Sequence, residues 1–133
     1  MCLITTQSKA FTATEDITCY KVLKLNENNT LTSVYQNFQY KPYTTYKSNS
    51  KIQKIKNTRF TTHYEIYGGC FHSYARLKDA EIDNRIYNIN KIPNTMQTVI
   101  VKCIIPKGTK YYAETGITYY YASKSIKILH ILE

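Results

Sequence analysis

The chain has 133 residues, 43% of them hydrophobic, with 18 Lys and Arg against 9 Asp and Glu, a formal net charge of +9. That size and apolar content support one folded domain and exclude a wholly disordered tail. The charge points to nucleic acid, a nucleoprotein or an acidic protein surface as partner, and no run approaches the roughly 18 apolar residues of a membrane span.

The first fifteen residues are Thr-rich with little periodicity; Leu3 and Ile4 offer an edge strand or a docking point on the core. Ile17 to Leu25 (ITCYKVLKL) alternates as a strand does, and Asn26 to Asn29 reads as its turn. Leu31 to Tyr40 is a second extended piece. Pro42 has no N–H and forbids a regular central strand, so Tyr43 to Asn57 is expected as a long loop or exposed hairpin. Within it, Lys51 to Lys56 (KIQKIK) fits strand or helix equally. Arg59 to Tyr67 is β-rich, Gly68-Gly69 breaks it, and Cys70 to Tyr74 follows as a short strand.

Ser73 is positioned to cap a helix from about Tyr74 to Asp83, with Leu77, Ala80 and Ile82 inward. Asn84 to Asn94 is a polar connection closed by Pro93. Gln97 to Ile105 (QTVIVKCII) is a near-continuous apolar strand, the pattern of a central position. Pro106-Lys107-Gly108 turns the chain, and Lys110 to Ala113, Ile117 to Ala122 and Ser125 to Leu132 complete a run of strands. In SIKILHIL, alternation puts Ile126, Ile128 and His130 on one face and Lys127, Leu129 and Ile131 on the other. The expected fold is α+β: one compact domain over 1–133, a mainly antiparallel sheet, one short helix, and a basic loop or hairpin at about 41–60.

Charge is concentrated in that loop. Between Asn28 and Tyr64 lie Lys41, Lys47, Lys51, Lys54, Lys56 and Arg59 and no carboxylate. Tyr35, Phe38, Tyr40, Tyr43, Tyr46, Phe60 and Tyr64 are interleaved with them. Ammonium groups meet phosphates and flat rings stack on bases, so the pattern suits RNA; Lys41, Tyr43, Tyr46, Lys47, Lys51, Lys54, Lys56 and Arg59 are the candidate binding residues. The plainer account is a solvated hairpin whose tyrosines pack on the sheet, with Lys and Tyr both raised by AT-rich coding.

Catalytic signals are sparse. Cys2, Cys19, Cys70 and Cys103 are far apart, with no CxxC pair, so free thiols in a reducing cytoplasm are expected and no zinc site. No basic-then-apolar signal opens the chain. In Gly69-Cys70-Phe71-His72-Ser73, a strand would place Cys70 and His72 on one face, and the glycines would admit a phosphate; the plainer reading is a tight turn feeding the helix. His63, His72 and His130 have the composition for metal-independent RNA cleavage, although His130 alternates with core isoleucines. Asp79, Glu81 and Asp83 splay around the helix rather than converge on a metal. Tyr111-Tyr112 and Tyr119-Tyr120-Tyr121 form the arms of one hairpin. There is no phosphate-binding glycine loop and no hydrolase elbow, and no cofactor is called for.

MCLITTQ, DITCYKVL (Asp16 to Leu23), YQNFQY (Tyr35 to Tyr40), GGCFHSY (Gly68 to Tyr74), VKCIIPKGTKYY (Val101 to Tyr112) and YASKSIKIL (Tyr121 to Leu129) together resemble a family of small proteins carried by phages and prophages of Bacteroidetes. The chain departs from that family at Lys41-Pro42-Tyr43, where a Gly-Lys is usual, and at Val34, where a Pro is usual. The resemblance implies a phage origin and action in the host cytoplasm, but brings no settled activity. A late glutamate, Glu114, would be the candidate for the catalytic residue of an ADP-ribosyltransferase, whose strand layout this chain resembles in part. The expectation is a non-catalytic protein that engages RNA or a host defence ribonucleoprotein, such as a CRISPR effector or its guide RNA, in the manner of an anti-CRISPR. Its rivals are a small nuclease using His63 or His72, and a protein-only inhibitor of a host enzyme.

Overall fold

A computed structural model describes residues 3–34, 38–56, 63–89, 97–114 and 119–132. Two short strands, β1 (Leu3–Thr5) and β2 (Phe11–Thr12), precede β3 (Ile17–Leu25), whose bounds match the alternation in its sequence. Asn29 closes the turn after β3 in the left-handed region at φ 64, a conformation asparagine tolerates better than most residues. β4 (Leu31–Ser33) then pairs with both β3 and β5 (Gln39–Tyr40), so the second extended piece is a small hairpin.

The segment at about 41–60, expected as one basic loop or hairpin, is divided. β6 (Thr44–Lys47) and β7 (Gln53–Lys56) never pair with each other: β6 joins the edge of the main sheet, and β7 pairs with β8 (Tyr64–Gly68) in a second sheet, of order β1-β8-β7. Pro42 removes one donor and Tyr43 takes φ 57, swinging the chain so that the Tyr43 N–H reaches the Leu129 carbonyl at 3.3 Å.

β9 (Phe71–Tyr74) also corrects an expectation. Its ladder with β12 (Tyr120–Ser123) consumes Ser73 and Tyr74, so Ser73 cannot cap the helix. The helix, α1 (Leu77–Ile89), starts later and runs further than its sequence suggested. Its first turn is closed by backbone bonds to the Arg76 carbonyl and by an Arg76–Asp79 ion pair of 2.7 Å. A carboxylate there also meets the positive end of the helix dipole. Ala80 is buried, whereas Leu77 and Ile82, expected inward, are exposed.

The main sheet is completed by β10 (Gln97–Ile105), β11 (Lys110–Ala113) and β13 (Ser125–Leu132), in the order β2-β11-β12-β9-β3-β10-β13-β6. All pairings among the described strands are antiparallel, so the α+β expectation of a sheet-rich fold with one short helix holds. Three strands separate β12 from β13 in this order, yet only Lys124 separates them along the chain. The sheet must therefore curl until its halves meet, and Lys124 marks the corner, bonded to Lys110 and Ser48 at 2.9 and 2.8 Å.

The curl encloses the principal core: Cys19, Leu23, Leu31, Tyr40, Val101, Cys103, Ile105, Ile126 and Ile128. α1 covers part of the opposite face through Val22, Tyr74, Ala80 and Ile100. The small sheet packs through Leu3 and Ile66 onto Tyr112 and Ala122. In β13, Cys103 faces Ile128 while Lys102 faces His130, so Leu129 is an extra, bulged residue. The bulge reverses the alternation, and His130 leaves the face of Ile126 and Ile128 to become exposed. No helix among the described residues is long and apolar enough to cross a membrane.

Candidate functional site

The predicted binding residues are shared between the two sheets. Lys41 is exposed, its N–H donating to the Tyr46 hydroxyl at 2.8 Å. Tyr43 is 69% exposed and free to stack. Tyr46 is not: Phe38 and Tyr40 meet its ring edge-on at 5.6 and 5.2 Å, within the core wall. Lys47 is exposed at the end of β6. Lys51 and Lys56 are exposed on and beside β7, but Lys54 is tethered: its Nζ donates to the Ser8 carbonyl and lies over the rings of Tyr64 and Tyr112 at 5.0 and 5.8 Å. Arg59 lies outside the described residues.

Lys47 belongs to a basic surface that the sequence reading did not identify. On β6, β13 and β10, the side chains of Tyr46, Ile126, Ile128, Val101 and Cys103 point into the core, so Thr45, Lys47, Lys127, Lys102 and Ile104 point outward. Register places Lys47 beside Ser125, Lys127 between Thr45 and Ile104, and Lys102 between His130 and Tyr20. Lys47, Lys127 and Lys102 are thus diagonal neighbours across three adjacent strands, with steps of about 7–8 Å between backbone positions. None of the outward residues of these three strands is a carboxylate, while α1 brings Glu81 to the same face beside Ile100 and Leu132. Among the described residues the one ion pair is Arg76–Asp79, so none of the three lysines is neutralised by a partner.

A second feature is a cleft of about 260 Å³. β9 and β4 share one edge of β3, but β9 takes only Tyr20 and β4 takes Leu23 to Leu25, which leaves Lys21 and Val22 without a strand neighbour on that side. The gap opens between Phe38, Tyr40, Phe71, Tyr74 and Tyr87, with Gly68 to His72 as its rim. Lys21 occupies the inward face of β3 between Cys19 and Leu23, is half-buried, and lines the cleft. Its Nζ donates to the His72 carbonyl at 2.5 Å and lies 5.4 Å from the Tyr40 ring centre. Burial pulls the Lys21 pKa down from 10.5, with only Cys103 and Cys19 opposing.

Desolvation of an amine without a carboxylate partner destabilises the fold. Lys21→Met keeps the unbranched stem and removes the amine. It is therefore expected to stabilise the protein by about 0.5–2 kcal/mol in urea unfolding, the loss of the bond to His72 taking back part of the gain. A fall in stability would show that the amine is held more favourably than its surroundings indicate.

The titratable groups do not assemble the pairs considered for catalysis. Burial raises the Cys70 thiol to about 11 and lowers His72 to about 4, the latter helped by the Lys21 charge. Both groups are thereby kept neutral near pH 7. His72 and His130 lie on β9 and β13, with β3 and β10 between them, and His63 precedes β8 in the other sheet. Cys19 and Cys103 face each other as buried free thiols, and the bond between them keeps Cys103 protonated. Among the described residues no three His, Cys, Asp or Glu converge as a metal site. Comparisons of the chain with protein-family models, with curated proteins and with solved structures find no match.

Proposed function

We propose that the protein is a non-catalytic RNA-binding protein whose contact surface is the outer face of β6, β13 and β10. The observation that carries this reading is the diagonal of Lys47, Lys127 and Lys102, three cations on adjacent strands with no carboxylate among them. A folded sheet holds them at fixed spacing, so phosphate binding does not first have to order a loop. Exposed His130 flanks Lys102 and offers a flat group to bases, and exposed Tyr43 and Lys41 extend the surface beyond β6. The phage-type resemblance adds a finer proposal: in the host cytoplasm the RNA belongs to a defence ribonucleoprotein, a CRISPR effector or its guide included, which the protein blocks by occupancy.

The test is the salt dependence of binding to a labelled single-stranded RNA. Each lost phosphate contact lowers the slope of log K against log salt by about 0.7 on a single strand. The triple variant Lys47→Gln, Lys102→Gln, Lys127→Gln is expected to lower it by about 2. Lys54→Gln, whose amine is already engaged, is expected to leave it unchanged. A triple variant with the wild-type slope and affinity would overturn the proposal. Equal loss in Lys51→Gln, Lys56→Gln would move the contact to β7.

A further inference from the structure

The cleft beside Lys21 is separate from the basic face and has a chemistry of its own. Its walls are mostly aromatic, and its floor holds one amine. The titratable groups around that amine are Cys19 on β3, Cys103 on β10, Tyr40 on β5 and His72 on β9, and none is a carboxylate. We propose that this cleft binds a small aromatic carboxylate, with Lys21 meeting the carboxylate and Phe38, Tyr40 and Phe71 holding the ring.

Three observations select that ligand. An ammonium has three donors, and the His72 carbonyl takes one, so at least one is free to meet an anion entering through the gap. An incoming carboxylate would supply the charge that the protein withholds, in surroundings where such a bond is stronger than in water. A single cation also matches a singly charged carboxylate better than a phosphate, which is normally held by several donors or a guanidinium fork.

Size limits the remainder of the ligand. Pockets for drug-sized ligands hold about 300–1,000 Å³, and this one holds about 260 Å³. One ring and its substituents fit; a peptide or dinucleotide does not. The strand gap that exposes Lys21 is set by backbone pairing, so the site exists before any ligand arrives.

Calorimetric titration with 4-hydroxybenzoate, its neutral isostere 4-hydroxybenzamide, and phenyl phosphate tests the assignment. The carboxylate is expected to bind saturably, and the amide at least about tenfold more weakly, because a hydrogen bond to a charged group is lost. Lys21→Met should lose the preference for the carboxylate while keeping its fold, shown by an undiminished unfolding midpoint, and its affinity for RNA. Amide-proton shifts in the wild type should centre on Gly69 to His72. Equal binding of carboxylate and amide, unchanged binding in Lys21→Met, tighter binding of phenyl phosphate, or no saturable binding of any of the three would each overturn the proposal.

Discussion

Gly69→Ala is expected to cost more than about 3 kcal/mol, enough to unfold a marginally stable domain. Gly69 has φ +78, where a side chain adds about 1–2 kcal/mol of strain. A Cβ there would also overlap the Lys51 carbonyl oxygen and lie 2.8 Å from the Lys51 carbonyl carbon and 2.9 Å from Ile52 Cα. These are backbone atoms of the segment leading into β7, and they cannot rotate away. Gly108 is the control: its φ is +87, yet no atom lies within 4 Å of its Cβ position. Gly108→Ala should therefore lose only the conformational part, about 1–2 kcal/mol. Urea unfolding of both variants reads the difference. Similar losses at the two glycines would mean that the chain before β7 does not pack against the rim of the cleft.

The second large effect is acid sensitivity. His72 is buried neutral, its pKa lowered from 6.5 to about 4 by burial first and by Lys21 second. Below pH 6.5 the unfolded chain binds a proton that the folded chain refuses, so stability falls as pH drops from about 6.5 to about 4. The gap from 6.5 to about 4 corresponds to about 3 kcal/mol at most. His72→Gln, which does not titrate, should lack this step while keeping the slope that the carboxylates contribute. Lys21 works in the same direction at higher pH: its lowered pKa means that stability rises with pH toward 10.5. Lys21→Met also removes one of the causes of the His72 shift, so the acid step should shrink in that variant. Unfolding midpoints measured from neutral to acid pH decide the matter, and parallel curves for wild type and His72→Gln would contradict the assignment.

Much of the fold was legible in local pattern. Ile17 to Leu25, Gln97 to Ile105, Lys110 to Ala113 and Ser125 to Leu132 have the observed strand bounds because alternation and β-branched residues act over neighbouring positions. The Pro106 to Gly108 turn was legible for the same reason, since Gly108 takes the positive φ that the turn needs. Ser73 misled because its capping chemistry is local, whereas the ladder that claims it comes from Tyr121, far along the chain. His130 misled because a single bulge at Leu129 inverts which face every later residue occupies.

The candidate sites divide along the same line. Amino-acid order alone determined that the protein is basic, sheet-rich and uncrowded by carboxylates between Asn28 and Tyr64, because composition and alternation do not depend on which strands meet. It also determined that Lys21 shares a face of its strand with Cys19 and Leu23. Tertiary structure decided that Lys47, Lys127 and Lys102 are neighbours, that Tyr46 is walled in, and that Lys21 opens onto a cleft. These facts depend on hydrogen-bonded register between strands distant in sequence, and on an edge of β3 that two partners leave incompletely covered.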